Sequence, residues 1–373
     1  MASSHQLTRV LGLLSIIAFG LTNEIASGLF FVSTQIQGSS AGVGSLVPLL
    51  MIVGGVITLF TVIAYRFFFA SGLVGAGGEY VMISRSVSPG IAFVVTVLAW
   101  FGFTGSLGTL SYAAPSFLAS ATHAMGLTGL GAFFTSSAGI ILTGLIIIWG
   151  LYAVHVFGVR LAGILVVVAM FLVLVVSAVM MIYGFSTTHA SFDAALATRL
   201  HLSAKVLAAK APVQQSSIRV AFEAALPTLF FGYLGLSTAT QTGGEAKNPT
   251  TSLAKAVLII VALVTVVYTL FSFAVYHAVP WQVIAGMSTS KALTAYTTSS
   301  GLLQFVMPPW LSALINLCVA LIVIKTFLPI YLAQSRWVYA WGQDKLIPPA
   351  FSRTHAKYKT PVLALTLSAI VGF

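Results

Sequence analysis

Residues 227–256 read PTLFFGYLGLSTATQTGGEAKNPTTSLAKA. The first half is aromatic and apolar, as a membrane-spanning helix requires. Gly232, Gly235, Ser237, Thr238, Thr240, Gln241, Thr242, Gly243 and Gly244 then interrupt it at membrane depth. Glycine and hydroxyl residues disfavour a continuous helix, and lipid offers no water to the backbone groups a break sets free. An interrupted span persists only where its loose carbonyls and amides face protein or a polar cavity. A second interrupted span, Thr22-Asn23-Glu24-Ile25-Ala26-Ser27-Gly28-Leu29-Phe30, lies near the N-terminus. Two such breaks, each opening a set of helices, predict an all-helical carrier that holds its solute at the bilayer midplane.

The composition agrees. Of 373 residues, 58% are hydrophobic and only 6% charged, against roughly a quarter charged in a soluble domain. Long continuous apolar runs predict helices, where a barrel would alternate apolar with polar. The first run is too long for a signal peptide and lacks a cleavage pattern, so it reads as a mature helix.

Runs near 20 residues place spans at 10–36, 44–65, 90–121, 132–155, 160–185, 220–243, 254–278 and 309–335. A ninth enters at Pro361 and runs out in apolar sequence at Phe373, so a chain cut inside a helix is expected. The whole reads as one transmembrane unit. With the N-terminus inside, eleven Lys and Arg fall in cytoplasmic segments (Arg9, Arg66, Arg85, Arg160, Lys247, Lys255, Arg336, Lys345, Arg353, Lys357, Lys359) and five outside. This bias predicts a multi-pass protein of the cell membrane with a cytoplasmic N-terminus. Basic loop anchors account for the net charge of +11 without a nucleic-acid partner. Four of the five outer cations lie in the loop 186–219, where Leu196, Leu200 and Leu207 suggest a short amphipathic helix.

The first break suits a zwitterion. Ala26, Ser27 and Gly28 are small enough for close backbone approach, and a half-helix starting near Gly28 aims free amides at a carboxylate. Carbonyls freed near Asn23, and around Phe231 to Leu234, suit an ammonium group. Phe231 is placed to cover the solute as a gate. A kink without a ligand, and ordinary packing by Phe231, are the blander readings.

Glu24, beside the first break, and Lys325, in the eighth span, are intramembrane charges. Each costs a few kcal/mol at least and marks a functional site or a pair. The two either serve coupling, neutralise each other, or leave Lys325 to reach a surface. Glu79, Glu223, Glu245 and Asp344 fall in loops or at helix ends, where solvated or capping roles are common. Cys318, the only cysteine, reads as packing. No His-Glu-x-x-His, Gly-x-Ser-x-Gly or paired-acid signature is present, so neither an enzyme nor a metal site is expected. The Gly-rich stretch 72–80 lacks a Gly-Lys-Ser/Thr ending and reads as close helix contact.

These residues resemble the amino acid–polyamine–organocation permeases. Phe231-Gly232-Tyr233-Leu234-Gly235 followed by Gly244-Glu245-Ala246-Lys247-Asn248-Pro249 looks like that family's sixth helix and its exit. Ile25-Ala26-Ser27-Gly28-Leu29-Phe30 resembles its first-helix motif. Gly77-Gly78-Glu79-Tyr80 and Arg336-Trp337-Val338-Tyr339-Ala340 with Asp344-Lys345-Leu346-Ile347-Pro348 resemble its third-helix entry and eighth-helix exit. The resemblance implies the inverted-repeat fold of the sodium-coupled leucine transporter, helices one to five recurring upside down from helix six. The repeats would span about residues 10–185 and, incompletely, 220–373. It also implies amino-acid transport by proton coupling or exchange, with no cofactor and with Na+ less expected than H+. The substrate backbone would meet Ile25, Ala26, Ser27, Gly28, Phe231, Leu234 and Gly235, and Lys325, Glu24 and Phe231 would couple or gate. The lysine that some proton-coupled members of the family place on helix five is missing between Leu161 and Phe185. Lys325 lies on helix eight, where sodium-coupled relatives of the fold offer cation ligands, and is expected to put its ammonium in that place. An apolar pocket favours neutral amino acids. A polyamine carrier and a non-transporting amino-acid sensor are the alternatives.

Overall fold

The computed structural model describes residues 7–25, 28–40, 42–215, 217–290, 293 and 296–372, with backbone alone for Ala124 and Phe231. Seven helices are long and apolar enough to cross a membrane among these residues. The sixth expected span is absent from that count because it is broken.

The first span is α1 (Leu13–Glu24), a π-helical turn (Gly28–Val32) and α2 (Ser33–Ser39). Then come α3 (Val47–Ala70), α4 (Glu79–Ser86), α5 (Pro89–Ala124), α6 (Thr128–Thr135), α7 (Ser137–Val156) and α8 (Val159–Ser186). α9 (His189–Leu200) and α10 (Ala204–Ala208) fill the outer loop. The sixth span is α11 (Ile218–Phe231) and α12 (Leu236–Gln241), followed by α13 (Pro249–Ala278), α14 (Trp281–Ser288) and α15 (Ser299–Leu303). The eighth is α16 (Pro309–Lys325) and α17 (Phe327–Gln343), and α18 (Val362–Gly372) opens the ninth.

Helices in equivalent places of the two expected repeats pack in pairs: α1 on α12, α3 on α13, α5 on α16, and α7 on α18. Small residues permit the tightest of these contacts. A Cβ at Gly55 would overlap the Thr265 side chain of α13, and one at Gly54 would come within 2.9 Å of the Tyr233 ring.

Two spans and one loop differ from the sequence expectation. The eighth span runs to Gln343 and breaks at Thr326, because Pro329 has no amide to return to the Lys325 carbonyl four residues back. The polar stretch after Gly235 is helical, and the interruption shrinks to residues 232–235. Thr238, Thr240 and Thr242 turn their hydroxyls onto the carbonyls of Gly235, Ser237 and Ala239, which lets hydroxyl residues lie in a helix at depth. The outer loop forms two helices. Thr188 and Ser191 cap α9 reciprocally, Phe192 and Leu196 are buried beside Phe305, and Leu207 of α10 packs on Gly286. Its apolar face is spent on the protein.

Candidate functional site

The two breaks meet. A Cβ at Gly28 would lie 3.2 Å from the Gly232 Cα, and one at Gly235 would lie 2.6 Å from the Glu24 amide nitrogen and 3.0 Å from the Asn23 carbonyl carbon. Only glycine allows backbones this close. Ile25 is fully buried beside them, whereas Leu234 turns outward and is 55% exposed. Ala26, Ser27 and the Phe231 side chain lie outside the described residues.

The loosened backbone is partly satisfied by protein. The Tyr268 hydroxyl of α13 spans both breaks, 2.5 Å from the Glu24 carbonyl oxygen and 3.0 Å from that of Gly232. It has one proton for two acceptors, so it cannot fully satisfy both carbonyls at once. Thr238 donates to the Phe19 carbonyl at 3.1 Å, and i to i+3 bonds from Gly232 to Leu229 and Tyr233 to Phe230 tighten the second break. Tyr233 reaches the Met51 carbonyl of α3 at 2.7 Å. Tyr268 carried no signal in the sequence, since an aromatic in a membrane span is usually packing, and Tyr233 stood out only as part of the sixth-helix motif.

Lys325 ends α16 with 7% exposure and donates its ammonium to the Thr22 carbonyl, in the last turn of α1. It does not reach a surface. No ion pair joins it to Glu24 among the described residues. Glu24 is 2% exposed, its side chain lies over Gly235, and both carboxylate oxygens lack a hydrogen-bond partner among the described residues. The Glu24 carboxyl and the Lys325 amine, the latter on a helix-end carbonyl, therefore flank the crossing of the breaks.

Beneath this crossing, at the end of the bundle where α1 begins, polar contacts close the structure. Leu11 bonds to the Glu245 carbonyl (2.9 Å) and accepts from the Lys247 amide (3.0 Å). Arg336 grips Glu245 with two bonds of 2.5 and 3.1 Å, and both side chains are almost wholly buried. Glu79, half-buried at the start of α4, accepts from Tyr65 (2.7 Å), Thr240 (3.0 Å) and Gln241 (2.5 Å). Burial pushes its carboxyl up, against the pull of those donors. Arg85 holds Asp344 bidentately at 2.8 Å, and its guanidinium keeps that carboxyl below the usual range although burial opposes it.

Three of the acids expected in solvated or capping roles are thus partners in closing this end. Only Glu223, in an exposed pair with Arg219, matches the expectation. The signal available in the sequence was the presence of Glu245 and Arg336 within two separate motifs of one family.

The amino acid permease family model matches residues 11–373. This chain belongs to the amino acid permease family. The permease is 25% identical over 148 residues to the branched-chain amino acid permease BcaP of Bacillus subtilis (strain 168), a match covering 39% of this chain and 30% of that protein. It is 28% identical over 145 residues to the methylthioribose transporter of the same organism, again 39% of this chain and 30% of that protein. The aligned part is thus under a third of either relative's length. Its fold is that of the leucine-transporter class. The crystal structure of MhsT in complex with L-phenylalanine superposes with a TM-score of 0.59 at 13% identity, over 98% of this chain and 79% of that one.

Proposed function

We propose that the permease is a secondary active carrier of neutral, apolar amino acids in the cell membrane, working by alternating access. The observation that carries this reading is the crossing of the two breaks at Gly28–Gly232 and Glu24–Gly235. There the amides opening the Gly28–Val32 turn would take the carboxylate, and carbonyls near Ile25 and from Phe231 to Leu234 the ammonium. Phe231 would cover the bound solute. Opening toward the end where α1 begins would require the Glu245–Arg336 and Glu79 contacts to part. The first test is counterflow of labelled leucine in proteoliposomes, which should be displaced by neutral amino acids.

The buried Glu24 carboxyl, which meets no side-chain partner among the described residues, favours a second reading, a carrier of cationic amines. Competition separates the two. Excess leucine should suppress labelled leucine uptake while putrescine leaves it unchanged; uptake of labelled putrescine that excess leucine leaves unchanged would select the cation carrier. Bound solute without flux would mark a sensor.

We assign coupling to Lys325, whose side chain donates to the Thr22 carbonyl at the end of α1; there it would take the place of a coupling cation, with H+ or exchange in place of Na+. Glu24 is the second coupling candidate.

Gly28→Ala should lower leucine uptake by more than about tenfold, a loss of ~1.4 kcal/mol or more, because the new methyl meets the Tyr268 hydroxyl. Tyr268→Phe in the same chain should restore part of it. Normal uptake by Gly28→Ala alone would place the solute elsewhere.

A further inference from the structure

Away from the breaks, α3 and α13 leave a furrow between them at the end of the bundle where the polar closing contacts lie. It encloses about 640 Å³ and is lined by Ile63, Arg66, Phe67, Ala70, Thr250, Thr251, Ala254, Lys255 and Leu258. On α3 the lining residues fall at i, i+3, i+4 and i+7, and on α13 residues 251, 254, 255 and 258 repeat that spacing. Each helix therefore turns a single stripe to the furrow. Ala70 and Ala254 are too small to fill it.

The lining has two halves. Ile63, Phe67 and Leu258 are exposed apolar side chains, and in a membrane protein such a wall faces hydrocarbon. Arg66 and Lys255 stand at the mouth with the hydroxyl-bearing Thr250 and Thr251, in the first turn of α13. Neither cation has an ion pair or a hydrogen bond among the described residues. Two unpaired cations converging from neighbouring helices on one cavity exceed what an isolated loop anchor needs. A guanidinium, an ammonium and two hydroxyls suit a phosphate, and the apolar wall suits an acyl chain.

We infer that the furrow between α3 and α13 binds one anionic phospholipid, its phosphate between Arg66 and Lys255 and a chain along Ile63, Phe67 and Leu258. The loop charges assign this end to the cytoplasmic leaflet, where anionic lipid is presented to a basic pocket. The site is independent of the transported solute. A water-soluble phosphate shares the headgroup chemistry, but the continuous apolar wall selects the lipid.

Native mass spectrometry of the purified full chain, titrated with phosphatidylglycerol, phosphatidylcholine or inorganic phosphate, tests this. Phosphatidylglycerol should give a saturable single adduct, and Arg66→Gln/Lys255→Gln should weaken it about thirtyfold, equivalent to ~2 kcal/mol for two basic contacts. Ala70→Leu keeps both charges, narrows the furrow and should weaken the same adduct, which guards against a misfolded double variant. Equal binding of phosphatidylcholine would overturn the proposal. So would phosphate binding as tight as the lipid's, or adducts unchanged in both variants.

Discussion

Arg336→Ala should cost the permease about 3–5 kcal/mol of stability, because it strands the buried Glu245 carboxylate without its partner. The pair ties the connector between α12 and α13 to the last turns of α17, and the Leu11 backbone bonds to the same connector. In detergent, the variant should melt well below the parent or fail to give a monodisperse peak. Removing both charges in Glu245→Gln/Arg336→Met should recover most of the loss, since two neutral groups leave no uncompensated charge. A single Arg336→Ala variant as heat-stable as the parent would show that the pair contributes nothing to holding this end closed.

Lys325→Ala should abolish the pH dependence of uptake and lower its rate about tenfold or more. The side chain is the charged group that reaches the end of α1, and it does so at the point where α16 breaks. If its ammonium replaces a metal cation, removing it takes away the proton-responsive group and leaves the Thr22 carbonyl open. Lys325→Arg keeps the charge in a bulkier, permanently protonated form and should also lose the pH response. Undiminished, pH-sensitive transport by Lys325→Ala would remove Lys325 from the coupling step.

The breaks were legible because glycine and hydroxyl residues inside an apolar run have few other uses at membrane depth. The span limits followed from run length in the same way. Composition does not register hydroxyls bonding back to their own helix, so α12 was mistaken for part of the break. Proline's effect four residues upstream was likewise missed at Thr326. The polar closure at the α1 end was the least visible. Glu79 meets Thr240 and Gln241 more than 160 positions later, and Glu245 meets Arg336 91 positions later. One sequence carries no record of such pairings, and a charged residue at a span end looks alike whether it is solvated or buried. Glu24 and Lys325 were readable as buried charges, whereas their lack of a mutual bond depended on side-chain placement.

A cryo-electron microscopy map of the full chain with bound leucine tests the midplane grip most directly. The account predicts density for the amino acid between the two breaks, its carboxylate against the turn that begins at Gly28 and its ammonium against carbonyls of residues 231–235. Leucine bound away from both breaks, or residues 22–32 and 228–241 tracing as uninterrupted helices, would contradict it.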